Sequence, residues 1–258
     1  MNAESDGRAA TRLGRAVRAT SDGAARPTAA RRDGQRQTNW LRDVILGGQD
    51  GLVNILGIIL GVIAGGGSNT VLLVAGFAAA ITESISMGAV GYTSSISERD
   101  YYRAEQDRER RAIAAEPAAE RTEIREIYAA KGFDGKLLDD VVETITANRE
   151  TWLATVMDEE LHLQPVETRD IMRTAVVVGI ATLIGHMIPL LPFVVLQRTP
   201  ALIVAVVLSA ITLFGVGAYS ALTLRGDWRQ SGLKFIAIGL GAAAIGFLIG
   251  RLFNSAGA

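Results

Sequence analysis

The hydrophobic positions of the chain fall into three long runs that carry almost no charge. The charged residues within them are Asp50 and Glu83 in 44–97, Arg198 in 174–224, and Lys234 and Arg251 from 230 onward. A membrane-spanning helix needs roughly 20 mostly apolar residues, so the runs hold two, two and one helices respectively. The pattern therefore predicts an all-α, five-span transmembrane protein with a polar helical insert between spans two and three.

Turn residues and prolines divide these runs into individual spans. Gly65-Gly66-Gly67-Ser68-Asn69 leaves room only for a hairpin, and Pro189 and Pro192 are expected to kink or interrupt span three. We place spans one to five at about 43–64, 70–95, 172–196, 201–224 and 231–253. The corresponding division of the chain is a tail over 1–40, spans one and two in 41–97, the insert in 98–170, and spans three to five in 171–258.

The N-terminal tail is rich in arginine and has no apolar run, so it lacks the central segment of a secretory signal. A disordered basic tail is the preferred interpretation, with a transit peptide as the alternative. Basic residues of the short flanks, among them Arg225 and Arg229, lie on the same predicted side as the tail. By the positive-inside rule the N-terminus and the insert are expected to be cytoplasmic, with a bacterial inner membrane as the expected location.

The insert has the sequence signals of three or four helices. Pro117 suits the first turn of a helix that ends near Lys131-Gly132. Asp134 and Asn148 are plausible N-caps of two further helices. Gln164-Pro165 is expected to close the last one, and span two is expected to continue into the insert as helix.

Span one carries a stripe of small and polar residues at spacings of three and four. Its members are Asp43, Gly47, Asp50, Asn54, Gly57 and Gly61. The Gly57–Gly61 pair permits close contact with another helix. An ionised carboxylate within a span costs about 2.5–3.5 kcal/mol, so Asp50 is interpreted as part of an ion or proton site, with a buried hydrogen-bonded Asp as the alternative.

Span two supplies further ligand types one helical turn apart. Glu83 and Met87 share a face, and together with Asp50 and Asn54 they suit a borderline divalent cation better than Na⁺ or Ca²⁺. The same carboxylates could carry protons when the ion is absent. His186 is the other ionisable group at depth; a structural hydrogen bond is the preferred interpretation, and a relay or ligand role the alternative.

The insert contains most of the chain's 27 acidic residues, and several share a helix face. Glu105 and Glu109 lie four residues apart, Glu116, Glu120 and Glu123 fall on one side, and Met157 and Glu160 come near the end of the last helix. Arginines interleaved with them also fit an ordinary solvated helix with salt bridges. Because like charges stacked on one face repel, a cation held between these faces is the preferred interpretation.

Several functions are excluded or disfavoured by composition. The chain has no cysteine, which excludes disulfides and thiolate metal sites. It has two histidines and none of the common nucleophile, metalloprotease or phosphate-loop motifs, so an enzyme is not expected. A nucleic-acid partner is not expected either.

From residue 41 to residue 253 the chain resembles the vacuolar iron transporter family. The resemblance rests on Arg42-Asp43, Gln49-Asp50-Gly51-Leu52, Ser84-Ile85-Ser86-Met87-Gly88, Gly91-Tyr92, Ser97-Glu98-Arg99-Asp100, Trp152-Leu153, Met157, Glu160-Leu161 and Pro189-Leu190-Leu191-Pro192. It implies a homodimer of five-span subunits in the lipid bilayer. Such proteins exchange cytosolic Fe²⁺, sometimes Mn²⁺ or another divalent cation, for protons along a path at the dimer interface.

The resemblance also implies roles for individual residues. Asp50 and Met87 would lie on the path, and the insert ligands would be Glu109, Glu120, Glu123, Met157 and Glu160. The chain departs from the family pattern at Ala79, Ala112 and Val156, and at His162 and His186, which often are glycines. Glu83 or Glu116 would then supply missing carboxylates. The alternative function is a membrane-anchored metal buffer or sensor, which would not need Asp50, Glu83 and Met87.

Overall fold

The computed structural model describes residues 29–223 and 226–255, with side chains from Trp40 onward. These residues form helices and no strand. The helices are α1 (Ala29–Ala64), α2 (Asn69–Ala115), α3 (Pro117–Ala130), α4 (Gly135–Thr146), α5 (Arg149–Thr155), a π-helical turn (Val156–Glu160), α6 (Thr168–Leu190), α7 (Pro192–Val195), α8 (Arg198–Thr223) and α9 (Trp228–Ser255).

In the part of the chain that the structure describes, five helices are long and apolar enough to cross a membrane, in agreement with the predicted number of spans. They are Trp40–Ala64 within α1, together with α2, α6, α8 and α9. Span three ends earlier than predicted, at Leu190, because the Pro192 ring has no N–H to continue the helix and instead begins α7. Span one ends at Ala64 as expected, and the glycine turn follows.

The start of α1 differs from the predicted tail boundary. The tail was assigned to residues 1–40, but the helix begins at Ala29, so residues 29–40 are helical. Alanine, arginine and glutamine have good helix propensity, and a hydrophobic pattern marks only the apolar part of such a helix. The prediction for residues 1–28, like the use of Arg225 in assigning orientation, lies outside the described residues.

The spans, in Arg36–Ile96 and Glu167–Ala258, form one compact unit. One core cluster joins five of its helices, α1, α2, α6, α7 and α8, and consists of Ile55, Ile59, Leu72, Leu190, Phe193, Ala201 and Ala205. Elsewhere the helices meet through glycines. A Cβ added at Gly246 of α9 would lie 2.9 Å from the Cα of Gly57, and one at Gly250 would lie 3.0 Å from the Cα of Gly61. The close contact predicted for the Gly57–Gly61 pair is therefore present, and its partner is span five.

Span three packs against spans one and two in the same manner. A Cβ at Gly47 of α1 would lie 2.5 Å from the carbonyl oxygen of Val178 in α6, and one at Gly179 of α6 would lie 3.0 Å from that of Ser84 in α2. Such short distances leave no space for a side chain. The absence of side chains here lets three backbones approach, which places polar groups of α1, α2 and α6 within reach of one another.

The second compact unit contains the insert, Ser97–Val166. Its core consists of Ile113, Ile124, Leu138, Val142, Ile145, Trp152, Leu153, Val156 and Met157. Helix α3 begins at Pro117 and ends before Lys131, as predicted. Asn148 caps α5, its side-chain oxygen accepting from the amides of Glu150 at 2.8 Å and Thr151 at 3.1 Å.

The last helix of the insert ends earlier than Gln164-Pro165, where the sequence pattern placed its end. The π-helical turn stops at Glu160, and His162 has a left-handed backbone with φ of 53°. The amide of Leu163 closes back on the carbonyl of Met157 at 2.8 Å. The wider π turn changes the helical register and turns Met157 into the apolar core.

Candidate metal and proton site among the spans

Four polar side chains from three spans meet within the membrane-spanning unit. Asn54 of α1 donates its side-chain amide to Oε2 of Glu83 on α2. Nε2 of His186 on α6 lies 2.9 Å from the same oxygen. The carboxyl of Asp50, one turn before Asn54, interacts with both Glu83 and His186. We call Asp50, Asn54, Glu83 and His186 the intramembrane cluster.

His186 has a polar partner at each of its ring nitrogens. Its Nδ1 lies 2.8 Å from the main-chain oxygen of Thr182, which can only accept, so Nδ1 carries a hydrogen. The 2.9 Å contact between Nε2 and Glu83 then requires a second hydrogen, bound either to the imidazole or to the carboxyl. This contact therefore joins the buried imidazole to the carboxyl group that Asn54 also contacts.

The cluster is buried on one side and open on the other. His186 is completely buried, whereas Asp50 and Asn54 are exposed in the single chain. An open cavity of about 600 Å³ lies alongside them, between span one and span five. It is lined by Asp50, Val53, Asn54, Gly57, Ile58, Gly61, Val62, Ala242, Gly246 and Ile249. The stripe predicted on span one thus packs against other helices at its glycines, while Asp50, Asn54, Gly57 and Gly61 also line this open cavity.

The other predicted path residues lie outside this set of contacts. Asp43, two turns before Asp50, accepts a 3.1 Å hydrogen bond from the hydroxyl of Thr174. Met87 is half-buried on α2, one turn beyond Glu83. The sequence left the role of His186 open. A single sequence does not show which residue of span two lies beside His186 in the folded protein.

The insert brings together carboxylates from three of its segments. Glu109 on α2 and Glu120 on α3 are buried, and one oxygen of Glu120, Oε2, has no hydrogen-bond partner. Burial, followed by the negative charges of nearby glutamates, raises the pKa of Glu120 to about 6; these glutamates are Glu123, Glu109, Glu160 and Glu116. Burial also raises the pKa of Glu160, followed by the charges of Glu123 and Glu109, with Arg108 opposing them.

Two predicted insert residues have other surroundings. Glu105 forms an ion pair with Arg108 at 3.0 Å, and Arg108 also contacts Glu109 at 3.0 Å. Met157 is 2% exposed and packs in the apolar core of the insert. Within the described residues no group of three or more His, Asp or Glu side chains is arranged closely enough to hold a metal ion.

Five apolar helices with an ionisable cluster between three of them define an integral membrane protein with a polar site at membrane depth. Comparison with known proteins agrees with this class. The model of the VIT family matches residues 41–251. The chain belongs to this family of vacuolar iron transporters, which makes it a transporter rather than an enzyme.

Individual relatives share most of their length with the chain. Vacuolar iron transporter 1 of Arabidopsis thaliana is 30% identical over 213 residues, which cover 82% of this chain and 85% of that protein. Vacuolar iron transporter 1 of Tulipa gesneriana is 33% identical over 181 residues, 69% of this chain and 73% of the relative. The vacuolar iron transporter of Plasmodium falciparum is 26% identical over 225 residues, 83% and 82% of the two chains.

Proposed function

We propose that the protein moves a divalent metal ion, Fe²⁺ foremost and Mn²⁺ as well, out of the cytosol in exchange for protons. The observation that carries this proposal is the intramembrane cluster beside its open cavity. The names of the relatives support iron as the cargo. The chain would pass the ion through the cluster and use the same carboxyl groups to carry protons back.

The cluster is suited to a cation because it concentrates carboxyl groups where negative charge is costly. Asp50 and Glu83 lie close enough to interact, and two carboxyl groups placed together at this depth favour a cation that offsets negative charge. A divalent ion supplies positive charge, and so do protons. Carboxylate oxygens, an amide oxygen and the nearby Met87 thioether form a ligand set suited to borderline ions such as Fe²⁺.

The hydrogen bonds of Glu83 support the exchange of an ion for protons. Its Oε2 accepts from Asn54 and lies 2.9 Å from Nε2 of His186. For Glu83 to ligate an ion as a carboxylate, any proton on its oxygens must leave, and Asn54 must turn its oxygen toward the ion because an amide nitrogen does not ligate. An oxygen of Glu83 would therefore hold either a proton or the ion, so that binding of the ion releases the proton.

A second copy of the chain would complete the path. Asp50 and Asn54 are exposed on the open side of the single subunit, and lipid is a poor neighbour for either group. A homodimer with the two cavities facing each other would surround the ion with protein and water instead. The cavity wall is lined by glycines 57, 61 and 246, which leaves width for an ion with part of its hydration shell.

The insert would act as a cytoplasmic collector of the same ions. The carboxylates of Glu109, Glu120, Glu123 and Glu160 repel each other in the metal-free protein, and Glu120 has a buried oxygen with no partner. A divalent cation would draw them together and satisfy that oxygen. The basic flanks of the spans support a cytoplasmic side for this unit and the N-terminus, with a bacterial inner membrane as the expected location.

The test is metal accumulation in vesicles that contain the purified protein and have a pH gradient. The wild type is expected to accumulate Fe²⁺ and Mn²⁺ and to move protons the opposite way, while Asp50→Asn abolishes accumulation. Asp227→Asn is the matched control, because an asparagine can cap α9 as Asp227 does. Vesicles that bind metal but never accumulate it would instead support a membrane-anchored buffer built on the insert.

A further inference from the structure

We propose that His186 is a positioning residue for transport: its Nε2 holds the Glu83 carboxyl group in the intramembrane cluster, where Glu83 can bind the ion. This inference rests on the proposed function and adds to it a residue from a third span. The geometric basis is the 2.9 Å contact between Nε2 and Oε2 of Glu83, made by a side chain that is completely buried.

The imidazole is held in place from two directions. Its Nδ1 donates to the main-chain oxygen of Thr182 one turn earlier on α6, at 2.8 Å. Its ring lies against Gly51 of α1: a Cβ added there would be 2.6 Å from Nδ1 and 3.0 Å from Cε1. A helix carbonyl and a bare glycine backbone thus fix the ring plane, so that Nε2 points at Glu83.

Glu83 needs such a partner because its own helix does not orient it. The side chain has several rotatable bonds, and its other contacts in the cluster come from span one, through Asn54 and Asp50. Partners that hydrogen-bond a ligating carboxylate fix its orientation, and removing one costs roughly 10–100-fold in metal affinity or activity. His186 has that relation to Glu83, since it contacts the carboxylate and lies behind it, away from the open cavity.

The two ring nitrogens can be tested separately by amide substitutions. In His186→Gln the amide nitrogen lies as far along the side chain as Nε2, so it can still donate to Glu83. In His186→Asn the amide nitrogen matches Nδ1, so it can reach Thr182 but not Glu83. His186→Leu removes both donors while remaining apolar and of moderate size. Ser209→Ala is a matched control, since Ser209 is a buried polar residue of α8 whose hydroxyl has no hydrogen-bond partner.

The experiment measures the initial rate of Mn²⁺ uptake into vesicles against Mn²⁺ concentration, per folded molecule, for these variants and the wild type. We expect His186→Asn and His186→Leu to raise the half-saturating concentration roughly 10–100-fold, with a smaller change in maximal rate. His186→Gln is expected to remain close to the wild type, and Ser209→Ala to match it. The thermal unfolding midpoint of each variant is measured alongside.

Each result has a definite meaning. A His186→Asn protein that transports as well as His186→Gln, or better, overturns the inference, because Nδ1 and not Nε2 would then be the nitrogen that matters. Unchanged half-saturation in His186→Leu overturns it as well. If His186→Leu does not fold, the ranking of the Gln and Asn variants decides. A wild type that accumulates no metal overturns the proposed function and this inference together, whereas a working wild type beside equivalent variants overturns the inference alone.

Discussion

Replacing Glu120 with glutamine should stabilise the insert when no metal is present, which is the opposite of what loss of a buried side chain usually does. Glu120 is 9% exposed, its Oε2 has no partner, and glutamates surround it. Its ordinary pKa of 4.5 is raised to about 6 in the folded protein. The ionised form is therefore the unfavourable one, and glutamine removes that charge while keeping the shape.

The magnitude follows from the change in pKa. One pH unit corresponds to about 1.36 kcal/mol, so a rise from 4.5 to about 6 corresponds to about 2 kcal/mol at pH above 6. The folded state binds its proton more tightly than the unfolded state, so this destabilisation is absent below pH 4.5 and grows as pH rises through about 6. Residual solvent contact reduces the effect, and we expect Glu120→Gln to add about 1–2 kcal/mol at pH 8.

Tryptophan fluorescence can follow this change in the full-length protein in detergent. Trp152 lies in the core of the insert, and a background of Trp40→Phe and Trp228→Phe makes it the single reporter. For a unit of 60–100 residues each kcal/mol shifts the unfolding midpoint by roughly 4–8 °C. With chelator present, the midpoint at pH 8 should rise by several degrees in Glu120→Gln, and the difference should vanish near pH 4.5.

A matched control and a metal titration make the measurement decisive. Glu126→Gln, at an exposed position of the same helix, should change little at either pH. Added Mn²⁺ should stabilise the wild type more than Glu120→Gln, because the variant lacks one ligand. A Glu120→Gln midpoint that falls at pH 8, or that shifts equally at both pH values, would falsify the electrostatic reasoning.

Two further predictions concern the framework. Gly246→Ala should lower the unfolding midpoint of the spans and the yield of folded protein, because its Cβ would meet the backbone of Gly57; Gly241→Ala, which faces open space on the same helix, should be tolerated. Equal yields and midpoints for the two alanine variants would contradict the contact. Asn148→Ala should destabilise the insert by about 1 kcal/mol, since it removes the acceptor for two amides, and Asn148→Asp should restore most of this; circular dichroism melts can compare the three.

The span count could be predicted from the sequence because the membrane imposes it locally. Any run of about 20 uncharged, apolar residues must form a helix there, and Gly65-Gly66-Gly67 and Pro192 mark breaks through their own backbone chemistry. Where a helix continues beyond the membrane as polar residues, no apolar run marks its end. For that reason the start of α1 at Ala29 was missed, and the register change of the π-helical turn was not visible either.

The candidate site could be predicted only within each helix. The spacing of Asp50 and Asn54, or of Glu83 and Met87, follows from 3.6 residues per turn. That His186 reaches Glu83 depends on how far α6 slides along α2, which is set by contacts between Gly179 and Ser84 that one sequence does not specify. The same limit applies in the insert, where Met157 belongs to the core although its spacing fits a ligand equally well.

The contact of Gly57 and Gly61 with Gly246 and Gly250 has a consequence for how the protein responds to its surroundings. It is made of backbone atoms alone and is held by close packing. Neither salt nor acidity acts on such a contact. The side chain of Asn54, less than one turn before Gly57 on α1, instead donates a hydrogen bond to the carboxyl group of Glu83. Span one thus has adjoining segments of opposite character: one is held by contacts between uncharged backbones, and the other by a hydrogen bond to an ionisable group.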